Sequence, residues 1–141
     1  SAGTGGLVPP GADAVFAVFT AEQEPSLNGS VVGLGGGASS GYGGQSVIVS
    51  GFAYIDAEID DEARMRKVWL HEIGHLIGLG HVDDPDQVMK QWGEIPLQEY
   101  GPGDLEGLWH LGAEQGCIYI AVGADRVTES MPPTTTVVFV D

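Results

Sequence analysis

The chain has 141 residues, is 43% hydrophobic and carries 20 acidic residues against five basic ones, a formal charge of −15. That length suits one domain with a packed core, and the charge argues against nucleic-acid backbones and anionic membranes as partners, because both would be repelled. A single cysteine, Cys117, excludes an intrachain disulfide and any cysteine-rich metal site, and no apolar run reaches the ~18 residues that span a bilayer.

Residues 1–12 are rich in Gly and Pro and read as an arm or linker, without the basic and apolar regions of a signal peptide. Ala14 to Phe19 is a short apolar run that suits a buried strand. Between Gly29 and Gly44 lie eight glycines around Val31, Val32 and Leu34. A strand there packs weakly through side chains but leaves room for close backbone approach. The glycines lack the G-x-x-x-x-G-K-[ST] pattern of a phosphate loop. Ser46 to Asp56 reads as one or two further strands.

Asp60 or Asp61 is a fitting N-cap for a helix running from about Asp61 to Ile77. Arg64, Arg66 and Lys67 form its solvated face, and Gly78 and Gly80 supply a break at its end. Val82 to Asp86 reads as a turn and Gln87 to Trp92 as short and irregular. A second helix is expected from Gly103 to Leu111, closed by Gly112. Cys117 to Val122 and Thr134 to Val140 are strand-like, and the chain holds no internal repeat.

The chemistry concentrates in His71-Glu72-Ile73-Gly74-His75-Leu76-Ile77-Gly78-Leu79-Gly80-His81, an H-E-x-x-H-x-x-G-x-x-H motif holding three of the four histidines. Residues four apart share a helix face, so His71 and His75 can reach one metal ion. A turn at Gly78 brings His81 round as a third nitrogen ligand and leaves a fourth position open, the pattern of a catalytic zinc. Glu72 stands beside the ligands as the general base for water. His110 has no partner at ligand spacing and reads as a helix-surface residue.

The motif resembles the signature of the metzincins, zinc endopeptidases in which a methionine turn follows the third histidine. Met89, eight residues after His81, matches the matrixin spacing. Asp104-Leu105-Glu106-Gly107-Leu108 and Ala12-Asp13-Ala14-Val15-Phe16 are similar to the matrixin C-terminal helix and to one matrixin strand. The resemblance implies an α+β fold: a twisted mixed β-sheet, the active-site helix and a small C-terminal subdomain. It implies one catalytic domain over residues 1–141, with an upper part over 13–78 and a lower part over 79–141. Gly78, Met89 and Asp104 would be structural near the site, Met89 as a hydrophobic floor. Val32, Gly33, Leu34 and Gly35 would bind substrate from an edge strand above the cleft.

By the same resemblance the protein is a secreted, monomeric endopeptidase with one catalytic Zn2+ and protein or peptide substrates. A catalytically silent zinc-binding module of the same fold is the rival, and a zinc amidase a second. The chain departs from matrixins at Val82, at Lys90-Gln91 and at Gly103. The Gly29 to Gly44 segment has no His or Asp, so the family's structural zinc and calcium loop is not expected there. No P-R-C-G switch is present, and Cys117 lies on the wrong side of the site in sequence. Metzincins also place a strand and a long helix ahead of the strand resembled by Ala14 to Phe19. Either that portion is missing from this chain, through loss or processing, or the two C-terminal strand-like segments fill part of its place; the first is favoured.

Overall fold

A computed structural model describes residues 13–42, 45–91, 97–115 and 134–141. The arm over 1–12 and the strand expected at Cys117 to Val122 lie outside the described residues. Strands β1 (Asp13–Phe19), β2 (Gly33–Tyr42), β3 (Gln45–Asp56) and β4 (Thr134–Val140) form one mixed sheet in the order β1-β3-β2-β4. β1 runs parallel to β3, and β2 is antiparallel to both β3 and β4. Ser46 to Asp56 is therefore part of a single strand, with the partner register shifting between Ala38 and Ser39.

Helix α1 (Glu62–Ile77) starts at Asp61, whose side chain accepts the Ala63 N–H at 3.1 Å. It packs on the sheet through Val68, which joins Ile55 and Ile59 in a core flanked by Val32, Met65 and Trp69. The glycines of β2 make this contact close: a Cβ at Gly37 would come within 2.9 Å of the Leu76 carbonyl oxygen. The sparse side chains of β2 thus seat the helix against bare backbone.

At its C-terminus α1 ends at Gly78 in the left-handed region (φ 112°), with Gly78 N–H bonded to His75 O and Leu79 N–H to Gly74 O. This is the glycine-terminated Schellman arrangement. Gly80 takes no part, since it does not adopt a positive φ; the break rests on Gly78. Helix α2 (Pro102–Leu111) follows, then one turn of 3-10 helix at Ala113–Gln115.

One topological expectation changes. β2 is not the edge of the sheet, because β4 lies outside it. β4 joins the side of the sheet opposite β1. Thr134 to Val140 has the β-branched composition of a strand, but composition does not choose an edge. Val15, Phe16 and Val18 of β1 remain exposed. Among the described residues no helix is long and apolar enough to cross a membrane.

Candidate metal centre

His71 and His75 sit one turn apart on the buried face of α1, and the Gly78 turn brings His81 to them. His75 Nε2 lies 3.1 Å from His71 Nε2 and 3.0 Å from His81 Nε2. Donors held tetrahedrally at ~2.0–2.1 Å from zinc are about 3.3 Å apart, close to this spacing. The segment after His81 is fastened by Val82 N–H to Met89 O at 2.9 Å and Gln91 N–H to Val82 O at 3.1 Å.

The outer nitrogens decide what the inner ones can do. His71 Nδ1 is 2.7 Å from Val88 O and His75 Nδ1 is 2.9 Å from Leu79 O. A carbonyl oxygen only accepts, so each Nδ1 carries the proton and, in the neutral ring, each Nε2 presents a lone pair. Lone pairs about 3 Å apart repel unless a cation lies between them. The donor set therefore fits a metal ion better than it fits direct hydrogen bonds.

A fourth donor was not foreseen. The Asp141 carboxylate, which directly follows β4, lies 3.4 Å from His71 Nε2, 3.1 Å from His75 Nε2 and 2.5 Å from His81 Nε2. His71, His75, His81 and Asp141 together form a group able to hold a metal ion. Burial lowers the pKa of His81, the charge of Asp141 opposes it, and the other two histidines lower it further. No spacing rule marks Asp141 in the sequence.

Glu72 is fully buried, and neither carboxyl oxygen has a hydrogen-bond partner among the described residues. Burial, and secondarily the charge of Asp141, pushes its pKa up to about 9. The carboxyl fits against β2 because Gly33 and Gly35 lack side chains: their Cβ atoms would fall 2.0 Å from Oε1 and 2.6 Å from Oε2. An orphaned carboxyl near such a donor set is a second sign that a cation belongs here.

Met89 and Asp104 support the site from below. Met89 is buried against α1 at Gly74. Buried Asp104 accepts the N–H groups of Val88 at 2.6 Å, Met89 at 3.3 Å and Gly101 at 2.9 Å, while its own N–H donates to Gln87 Oε1 at 2.8 Å. Since Val88 O accepts the His71 Nδ1–H, Asp104 holds the segment that orients the His71 ring. His110 stands apart, exposed on α2 beside Glu114.

The four residues expected to bind substrate are engaged from within. Val32 and Gly33 donate their N–H groups to Asp141 O, the latter at 2.9 Å, and Asp141 N–H donates to Gly33 O at 3.0 Å. Leu34 pairs with Val140 and Gly35 with Phe139.

A histidine triad on a helix and its terminal turn, a buried glutamate between two of the histidines in sequence, and a methionine segment packed below them define a metzincin-type metal centre. A family model for matrixins matches residues 17–111, and the chain belongs to that family. Matrixins are zinc metallopeptidases, so zinc is the ion the family implies for this donor set. Neither the curated proteins nor the solved structures include a match to the chain.

Proposed function

We propose that this chain is a secreted, zinc-dependent endopeptidase domain acting on protein or peptide substrates. The observation that carries the reading is Glu72: a buried carboxyl with both oxygens unpartnered among the described residues, between two histidines of the candidate metal centre in sequence. His71, His75 and His81 would hold the zinc, which supplies Lewis-acid polarisation of a peptide carbonyl and acidifies water. The positive charge also favours the ionised form of Glu72, reversing the effect of burial.

Ionised Glu72 takes one proton from water as the water oxygen bonds to the carbonyl carbon. The C–N bond then breaks as Glu72 passes that proton to the departing nitrogen, and the second proton of the water, lost from the new carboxyl group, follows it to the amine. One water is consumed, and a carboxylate and an ammonium leave. Met89 and Asp104 contribute by holding α1 and the Val88 carbonyl in place, not by touching substrate.

Asp141 favours a second reading, a closed zinc-binding module, because its carboxylate stands at all three imidazoles. A quenched peptide library separates the two when tested with zinc-loaded wild type, Asp141→Ala and Glu72→Ala/Asp141→Ala proteins. Cleavage that falls by about 10²- to 10⁴-fold on loss of Glu72, the usual contribution of a general base, supports the endopeptidase. If neither the wild type nor Asp141→Ala cleaves any library peptide or denatured protein, the endopeptidase reading is lost.

A further inference from the structure

We propose that Asp141 is a fourth ligand of the metal ion and that β4, leading into it, occupies the substrate groove, so that the chain holds its own active site latent. This rests on the endopeptidase reading for its consequence, but the ligand assignment rests on geometry alone.

The first observation is the carboxylate itself. Its oxygens lie within 3.4 Å of all three Nε2 atoms. The carbonyl partners of His71 and His75 already fix their protons on the outer nitrogens. At His71 and His75 Asp141 therefore meets lone pairs, and an anion facing lone pairs is held by a cation shared with them. Among the described residues Asp141 Oδ2 also accepts no hydrogen bond. Two carboxylates, Asp141 and Glu72, balance the charge of a divalent ion.

The second observation is the path of the strand. β4 pairs antiparallel with β2 from Leu34↔Val140 to Ser40↔Thr134, the arrangement by which an extended peptide adds to a sheet. The pairing continues past the strand end, where Asp141 exchanges backbone hydrogen bonds with Gly33. The fit depends on the glycines: a Cβ at Gly36 would lie 2.3 Å from Val137 O. Phe139 closes the site further, its ring stacked on His75 with centroids 3.9 Å apart and planes within 8°. A peptide bound to the same backbone groups of β2 must first displace β4.

The test uses the full chain and two substitutions, Asp141→Ala and Asp141→Asn, the second keeping shape while removing charge. Zinc affinity is read by competition with a chromophoric chelator, and ligand geometry by the visible spectrum of the Co2+-loaded protein. Both substitutions are expected to weaken zinc by roughly 10- to 100-fold, the scale on which interactions at a metal site count, and to change the cobalt spectrum. Acetohydroxamate, a small metal-binding probe, is expected to bind the cobalt-loaded variants at least tenfold more tightly than wild type. Peptide cleavage by zinc-saturated Asp141→Ala should exceed wild type by a similar factor.

Unchanged zinc affinity, spectrum and probe binding in the folded variants would overturn the proposal, and the isosteric Asn protein gives that answer if the Ala protein does not fold. If the metal readouts respond but no variant cleaves peptide, the ligand assignment stands and the endopeptidase reading fails. Equal cleavage by wild type and variant with unchanged spectra leaves the endopeptidase and removes the latent state.

Discussion

Gly74 and Met89 meet so closely that a Cβ on the glycine would lie 2.4 Å from the methionine sulfur. A glycine inside a helix costs about 1 kcal/mol relative to alanine, and here that cost admits the buried methionine beneath α1. Gly74→Ala should therefore destabilise by about 1–2 kcal/mol despite better helix propensity, because overpacking outweighs the gain. In a Met89→Ala background the same change should be neutral or stabilising. Urea denaturation of the four proteins gives the coupling directly; additive effects would show that the two residues do not compete for space.

Asp104 satisfies three backbone N–H groups from one buried carboxylate. Asp104→Ala leaves these donors without their acceptor and is expected to cost about 3–5 kcal/mol. Asp104→Asn retains one oxygen acceptor and should cost less. Zinc affinity should fall in both, by up to about 100-fold, because the Val88 carbonyl that orients His71 loses its support. Normal zinc affinity in a folded Asp104→Asn protein would count against this chain of contacts.

Gly35 lies against Glu72 so that a Cβ would approach Glu72 Oε2 to 2.6 Å and its backbone oxygen to 2.7 Å. The backbone of α1 cannot move aside as a side-chain tip can. Gly35→Ala should lower stability by about 2–3 kcal/mol. The check is chemical denaturation, with a loss below 0.5 kcal/mol as the contrary result.

His110 titrates above its ordinary value of 6.5, raised first by the hydrogen bond its ring donates to Glu114, then by that residue's charge, and lastly by Glu106 against a small opposing burial effect. A folded value above the unfolded one means its contribution is complete below the unfolded pKa and is lost as pH rises through the folded value. The site is exposed, so the effect on stability is small. NMR titration of the His110 ring should show the raised midpoint, and Glu114→Gln should bring it down. An unmoved midpoint would exclude the Glu114 contact as its cause.

What the sequence made legible was local. Asp61, Gly78 and the histidines of α1 act over one or two helical turns, where spacing translates directly into geometry. The core of the family match, from β1 to α2, lies among elements recognisable one at a time. Asp141 belongs to the other kind of information: it reaches His71 only through the pairing of two strands that have residues 43–133 between them. One aspartate among 20 acidic residues carries no mark of that destination. The edge-strand expectation for Val32 to Gly35 failed for the same reason, since strand composition is silent about neighbours.

The glycines of β2 have one more effect. At Gly35, Gly36 and Gly37 the strand offers β4 main-chain hydrogen bonds but no side chains to grip. Such a ladder scarcely distinguishes one extended segment from another. Selectivity for the resident segment then falls to its anchored end, where Phe139 and Asp141 meet the histidines. Opening this site is accordingly an exchange of one strand for another, governed by a two-residue clasp and needing no hinge in the fold.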